Sequence, residues 1–184
     1  MKRLLLVASA ALLLSGCGYN RIQTLDEQAE SFKSQIEVQL QRRADLVPNL
    51  VATVRGFAEH ETEIFEAVAN ARAQLGGAVS GGNLAEMAVA NQSLGSALGR
   101  LIAIAEDNPE IQSNQNFRDL QSQLEGTENR ISTARQDYNA AVQAYNAYIR
   151  RFPQVITAKL ISAESRDYFE VTDEAAREVP QVEF

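Results

Sequence analysis

Apolar residues recur at heptad spacing along three long segments, and this pattern restricts the fold more than any other feature of the chain. The segments run from Leu25 to Val68, from Leu84 to Ala105 and from Phe117 to Ile149. Residues three or four positions apart lie on one face of a helix, so each segment predicts an amphipathic α-helix with a single apolar seam. No alternating pattern of comparable length predicts a strand. The chain is therefore expected to be all-α.

Short connections between the predicted helices favour antiparallel neighbours. Residues 76–83, GGAVSGGN, have the composition of a flexible linker, and residues 107–110 place Asn108 and Pro109 in the order of a helix start. A short fourth helix is expected over residues 154–161. Together these features predict an antiparallel, up-and-down, four-helix-type bundle with an extended C-terminal tail.

The first predicted helix carries two local signals. Thr24 and Glu27 have the spacing of a capping box, which marks a helix start. Pro48 lies inside the segment, and its ring removes the hydrogen bond that the carbonyl of Ala44 would otherwise accept. We therefore expect the helix to bend or break near Ala44.

The N-terminus has the layout of a secretory signal. Lys2 and Arg3 precede the apolar run Leu4 to Leu14, and small residues follow it. About 11 residues at 1.5 Å each cover about 16 Å, roughly half of a hydrocarbon core, so a membrane-spanning helix is the weaker interpretation.

Cys17, the only cysteine, directly follows Ser15 and Gly16. The order Leu14-Ser15-Gly16-Cys17 resembles the lipobox of bacterial lipoproteins, which implies cleavage between Gly16 and Cys17 and lipidation of Cys17. A buried thiol or an intermolecular disulfide are the alternatives for this residue.

Charge and the anchor together indicate a cell-envelope protein. Removal of residues 1–16 takes away two of 17 basic residues and leaves 15 against 24 acidic ones, a net charge of −9. Such a surface disfavours a nucleic-acid partner and a body lying flat on anionic lipid. By resemblance to diderm lipoproteins, Gly18 in place of an aspartate favours the periplasmic side of the outer membrane, if the source has one.

Four divisions of the chain follow from these patterns. They are a cleaved signal peptide, a lipidated tether, a helical bundle and a C-terminal tail, at residues 1–16, 17–24, 25–161 and 162–184. Pro180 prevents a helix from continuing through the tail, so its end should be extended. We expect Val182 and Phe184 to pack on the bundle.

Long blocks of the chain resemble the LemA family of bacterial membrane-anchored helical proteins. These blocks are QIEVQLQRRADLVPNLVATVRGFAEHE (Gln35 to Glu61), the stretch from Ala97 to Asn146, and the C-terminal end. The resemblance implies a four-helix bundle attached to a membrane by its N-terminus, without a settled catalytic activity. Many members keep an uncleaved transmembrane helix where this chain has a lipobox. Some relatives are linked to the building of membrane compartments, so the resemblance makes that role possible here.

Catalytic constellations are missing from the sequence. A di-iron bundle needs two Glu-x-x-His pairs, whereas His60 is the single histidine and is expected to face solvent. A zinc site or a Ser-His-acid triad lacks its usual groups. We expect no enzyme activity, no metal and no cofactor.

Two charged residues, Arg43 and Glu61, are predicted to lie within the apolar seam of the first helix. They are about 18 residues apart, or about 27 Å along a helix, so they cannot pair with each other. Counting back through the predicted hairpin places Arg43 level with Glu106 to Glu110. A structural ion pair is the favoured interpretation of Arg43.

A polar stripe borders the seam of the third predicted helix. Its members are Glu128, Arg135, Asn139 and Asn146. They form either a hydrogen-bond layer that sets helix register, which we favour, or a groove for a partner or ligand. Gly126 within this helix suggests the close approach of another backbone, and Gly95 and Gly99 on the second predicted helix suggest the same.

Three classes of function remain open at this stage. The first is a non-catalytic envelope scaffold that binds an unknown protein partner or, through its heptads, a second copy of itself. The second is a small-molecule or lipid-binding bundle with a cavity near Tyr138, Tyr145 and Asn146. The third is an unrecognised hydrolase that would use Glu61 and Glu128 as raised-pKa carboxylates in one cleft.

Overall fold

The computed structural model describes residues 2–57 and 61–170, with side chains from Gly18 onward. Six α-helices and no strand occupy these residues, which confirms the all-α fold class. In chain order the helices are α1 (Lys2–Arg55), α2 (Thr62–Gly81), α3 (Leu84–Glu106), α4 (Pro109–Ser113), α5 (Gln115–Ile149) and α6 (Gln154–Leu160). The predicted packing of Val182 and Phe184 lies outside the described residues.

Both ends of α1 differ from the prediction. The helix begins at Lys2 and passes through Thr24, whose hydroxyl donates to the carbonyl of Asn20 at 2.8 Å instead of capping a helix start. A hydroxyl can bond the carbonyl four residues earlier without ending the helix, so the capping-box interpretation is wrong. At its other end α1 stops at Arg55, and the predicted first segment is divided into α1 and α2.

Pro48 lies inside α1 and does not interrupt it. The guanidinium of Arg72 on α2 donates from Nε to the Ala44 carbonyl oxygen at 2.8 Å. This bond supplies the donor that the proline lacks, and α1 continues past Ala44, so of the predicted bend or break the break does not occur.

The glycine-rich segment 76–83 is mostly helical, and its prediction as a linker is wrong. α2 continues to Gly81, Gly82 takes a left-handed conformation with φ of 69°, and Asn83 caps α3 by accepting two backbone N–H bonds. A glycine inside a helix costs about 1 kcal/mol against alanine. Burial of Leu75 on the same helix outweighs that cost here.

The predicted helix start at Asn108 and Pro109 is confirmed. The Asn108 side chain accepts from the backbone N–H of Glu110 at 2.9 Å, and Pro109 occupies the first turn of α4. Proline suits this position because its missing N–H has no helical partner there.

The described residues form two compact units. Unit 1 combines residues 2–38 with 130–168, and unit 2 combines residues 39–57 and 61–129 with 169–170. In unit 1, parts of α1 and α5 pack with α6. In unit 2, α2 and α3 pack against each other around buried side chains such as Leu75 and Leu94.

Candidate functional site

The residue after the predicted lipidation site is already part of the packed structure. Gly18 is buried, and a Cβ atom placed on it would lie 3.5 Å from Thr157 Oγ1 and 3.7 Å from Gln154 Cγ, both on α6. Gly16 and Cys17 lie in α1, but their side chains are outside the described part, so lipidation stays a prediction. Within the described residues, no helix combines the length and hydropathy needed to cross a bilayer.

An apolar cluster in unit 1 packs part of α1 against α5 and α6. Its buried members come from α1, α5 and α6: Ile22, Leu25, Tyr145, Ile149 and Ala158. Ile22 continues the apolar seam of Leu25 toward the N-terminus, so residues 18–24 pack as helix. Residues 18–24, which were predicted to belong to a tether, are therefore part of helix α1.

A polar cluster, which we name the Arg166 clamp, fixes the segment that follows α6. The guanidinium of Arg166 donates to Asp26 at 2.6 Å and to Glu30 at 2.8 Å, both on α1. The side-chain amide of Asn146 donates to the Arg166 carbonyl and accepts from the Arg166 N–H, each at 2.9 Å. The Tyr138 hydroxyl donates to the Asp167 carbonyl at 2.9 Å. The clamp, consisting of Arg166, Asp26, Glu30, Asn146 and Tyr138, therefore joins α1, α5 and the segment after α6.

The surroundings of the clamp favour a charged Arg166 and a neutral Tyr138. Hydrogen bonds from Arg166 to Asp26 raise the pKa of the guanidinium, and burial raises the pKa of the Tyr138 hydroxyl. Asp26 and Glu30 remain partly exposed, so each ion pair contributes only about 0–1 kcal/mol. The clamp therefore acts mainly by geometry and hydrogen bonding.

The polar stripe predicted on the third helix is divided between the two units. Asn146 is 5% exposed and bonds to Arg166 in the segment that follows α6, not to another helix. Arg135 and Asn139 are half-buried, and each interacts with another group. Glu128 lies in unit 2, beside Arg43.

A ligand-binding bundle would need a cavity with a polar mouth near Tyr138, Tyr145 and Asn146, but these described side chains are not open to solvent. All three side chains are buried, and the polar groups of Tyr138 and Asn146 bond to the backbone of residues 166 and 167. An open groove of about 820 Å³ lies instead in unit 2, beside Pro48 and Phe65.

Arg43 forms the buried charged centre of unit 2. The side chain is 8% exposed, makes an ion pair with Glu128 on α5 and donates to Asn91 Oδ1 on α3 at 2.8 Å. Burial lowers the pKa of Arg43, and the charge of Glu128 opposes that shift. A Cβ atom on Gly95 would lie 3.5 Å from Arg43 Nη2, so the neighbour of Gly95 is a side chain and not the predicted backbone, and a Cβ atom on Gly99 would meet nothing within 4 Å.

The partners predicted for Arg43, Glu106 to Glu110, are wrong. The count treated residues up to Val68 as one helix, whereas α1 ends at Arg55 and α2 returns antiparallel to it. This extra turn brings Asn91 of α3, and not its C-terminal end, level with Arg43.

Glu61 is exposed and immediately precedes α2, so its predicted position in the seam is also wrong. The prediction assumed that the helix continues through residues 56 and 57, but these residues form a turn. Glu128 is paired with Arg43 and Glu61 is exposed before α2, so the structure gives no support to the hydrolase alternative, which required both carboxylates in one cleft. His60 lies outside the described residues.

Among the residues whose side chains are described, no group of three or more His, Cys, Asp or Glu residues is placed to hold a metal ion.

Sequence reasoning did not identify Arg166, Asp26, Glu30 or Asn91. One usable signal was present, because Asp26 and Glu30 are like charges four positions apart on a helix, which is unfavourable without a nearby cation. Arg166 lies in a segment without helical periodicity, so its position gave no signal.

Comparisons with known proteins match most of this chain. The sequence profile of the LemA family matches residues 32–184. Magnetosome proteins MamQ 1 and MamQ 2 of Paramagnetospirillum magneticum are each 32% identical over 176 residues, covering 83% of this chain and 64% of the relative. Magnetosome protein MamQ of Magnetospirillum gryphiswaldense is 30% identical over 174 residues, covering 82% of this chain and 64% of the relative. The chain thus spans less than two thirds of the length of these curated relatives.

Proposed function

Because the chain belongs to the LemA family, we propose that it is a membrane-anchored family member that serves as a non-catalytic scaffold or interaction protein of the cell envelope. In this proposal Cys17 carries the lipid and the helical units carry the binding surfaces. The observation that supports it best is the direct succession of lipobox and packed structure: Leu14 to Cys17, then the buried Gly18.

Lipid on Cys17 provides enough energy for a lasting anchor. Each buried methylene contributes about 0.8 kcal/mol, so one acyl chain binds marginally, whereas two or three hold firmly. The chain has a net charge of −7 before processing, so attraction of the whole body to anionic lipid adds little. The names of the matching relatives, magnetosome proteins, support a role at a membrane.

The buried polar contacts support a role as a rigid scaffold. Asn146 and Arg166 join distant parts of unit 1, and Arg43 joins three helices of unit 2. Such contacts fix one arrangement of the helices, because an incorrect arrangement leaves buried polar groups without partners. A fixed surface suits recognition of an envelope protein or a second copy of the chain.

Cys17→Ser tests the anchor. We expect an uncleaved precursor in the envelope, whereas the wild type should show the mass of a lipid-bearing chain that begins at Cys17. Intact-mass analysis of the membrane fraction measures both. Ser34→Ala, a change at an exposed position of α1, is the control and should give the lipidated mass. A wild-type chain that begins at any other residue, or that carries no lipid, contradicts the proposal.

Crosslinking of the lipidated protein within its own envelope tests the scaffold role. We expect a defined crosslinked species that contains either a second copy or an envelope protein. Denatured envelope is the control. A protein that is crosslinked to nothing at its native abundance contradicts the role.

A further inference from the structure

Large apolar side chains are exposed on and beside α6. Phe152 is 82% exposed, Ile156 is 53% exposed and Leu160 is 79% exposed. Single exposed apolar residues are ordinary, but Ile156 and Leu160 are four positions apart on α6 and so lie on one face of the helix. We name these two side chains, together with Phe152 just before the helix, the α6 stripe.

The α6 stripe faces away from the core of its own unit. Ala158 packs in the apolar cluster with Ile22 and Leu25, and Thr157 faces Gly18. Ile156 and Leu160 are each two positions from Ala158, which is about 200° around a helix. One face of α6 is therefore fixed to unit 1, while the other presents apolar groups outward.

The surroundings of the stripe are basic in an acidic protein. Residues 149–163 contain Arg150, Arg151 and Lys159 and no acidic residue, and residues 18–25 contain Arg21 and no acidic residue. All four basic side chains are exposed, whereas the whole chain has a net charge of −7. This local charge complements anionic lipid headgroups.

The stripe is also close to the proposed lipid attachment point. Gly18 contacts α6, and one residue of chain spans at most about 3.6 Å, so Cys17 cannot be far from this helix. Tyr19, which is 45% exposed, adds an aromatic ring of the kind that is enriched at membrane interfaces.

We propose that the α6 stripe is a second membrane contact, in which Phe152, Ile156 and Leu160 enter the interface of the bilayer that holds the lipid on Cys17. Arg150, Arg151 and Lys159 then lie at the level of the anionic headgroups. This inference rests on the lipid anchor proposed above. The contact is interfacial: the apolar side chains enter the boundary between headgroups and acyl chains, and α6 does not cross the membrane.

Environment-sensitive labels on the lipidated full chain test this contact. Cys17 is the only cysteine and its sulfur is consumed by lipidation, so Leu160→Cys and Ile156→Cys each provide one free thiol. The labelled proteins are placed in vesicles of phosphatidylethanolamine and phosphatidylglycerol. Val89→Cys on α3 is the matched control, because Val89 is also apolar and 59% exposed.

We expect the labels at positions 156 and 160 to emit at shorter wavelength than the control label and to be quenched by brominated lipid. Vesicles of phosphatidylcholine alone should reduce the quenching, because they lack the anionic headgroups. Labels at 156 and 160 that emit and quench like the label at Val89 overturn the proposal. A wavelength shift seen in native envelope but absent in vesicles also overturns it, in favour of a protein partner.

Labelling of the unsubstituted protein separates the two proposals. If Cys17 is lipidated, the wild type takes up no label. Uptake of label by Cys17 would contradict the lipid anchor, whatever the result at positions 156 and 160. Normal lipidation combined with water-exposed labels at those positions would contradict the α6 contact alone.

Discussion

Asn146→Asp is a sharp test of the Arg166 clamp, because it changes one hydrogen-bonding group and almost no volume. The amide of Asn146 donates to the Arg166 carbonyl and accepts from the Arg166 N–H, both at 2.9 Å. A carboxylate keeps the acceptor but replaces the donor with a second acceptor. The Arg166 carbonyl then faces a negatively charged oxygen at a site that is 5% exposed in the wild type.

The expected cost at neutral pH comes from two contributions. The lost hydrogen bond removes about 1 kcal/mol, and the unsatisfied carbonyl beside a desolvated charge costs about 1–3 kcal/mol more. The total is about 2–4 kcal/mol. With a urea slope of about 2 kcal/mol per molar, the unfolding midpoint should fall by about 1–2 M.

The same substitution should show a characteristic pH dependence. A protonated carboxyl can donate to the Arg166 carbonyl, so the folded state should hold the introduced proton to a higher pH than the ordinary aspartate pKa of about 3.9. A group whose pKa is raised by folding contributes stability below its unfolded pKa, and that stability is lost as the pH rises through the folded value. The deficit relative to wild type should therefore be small near pH 4 and full by pH 7.

Urea unfolding of both proteins at several pH values measures the deficit. Hydrogen exchange of the Arg166 amide reports on this site alone. In the variant the Arg166 N–H keeps its acceptor, an oxygen of the side chain at position 146. Gln143→Glu is the control, since it makes the same amide-to-carboxylate change at an exposed position of α5. Equal midpoints for the two variants at pH 7, or a deficit that does not change with pH, would refute the reasoning.

Three further predictions concern stability measured by urea unfolding. Glu128→Ala should cost about 1–3 kcal/mol, because it leaves the buried Arg43 cation without its ionic partner, whereas Glu125→Ala at an exposed position of the same helix should cost under about 1 kcal/mol. Gly95→Ala should stabilise the protein by up to about 1 kcal/mol, since its methyl group would only touch Arg43, whereas Gly95→Leu should displace the guanidinium and destabilise the protein. Burial raises the pKa of Tyr138, so stability should be full below about pH 10 and fall as the pH rises through the folded value, and Tyr138→Phe should reduce that alkaline fall. Equal losses for the two glutamate variants, a destabilising Gly95→Ala or an unchanged alkaline slope would contradict the respective prediction.

The helical character of the long segments could be predicted from the sequence, because it depends on the local periodicity of apolar residues. The seam residues Leu94, Leu101 and Ile131 are all buried, as heptad spacing requires. The residues at which the helices begin and end were harder to predict. The turn after Arg55 has one glycine and no proline to mark it, and the glycines of residues 76–81 resemble a linker although they lie in α2.

The polar contacts depend on distances along the chain that periodicity does not encode. Arg166 pairs with Asp26 across 140 residues, and Arg43 pairs with Glu128 across 85. The position of each partner depends on every intervening turn, so one unrecognised turn moved the expected partner of Arg43 from Asn91 to the C-terminal end of α3. Arg43 itself could be found, because a charge in an apolar seam requires a partner wherever that partner lies.

The absence of a free segment between Cys17 and the packed structure changes what the lipid anchor accomplishes. A long flexible tether would let the body move away from the bilayer, and α6 would meet the headgroups only at a low effective concentration. In the proposed arrangement Gly18 contacts Thr157, so insertion of the acyl chains would hold α6 within a few residues' reach of the membrane surface. Contact by the α6 stripe would then be intramolecular, and its modest apolar area would suffice without an independent affinity for membranes. The acidic remainder of the chain would oppose contact elsewhere, so the two effects would together select one orientation of unit 1 on the bilayer.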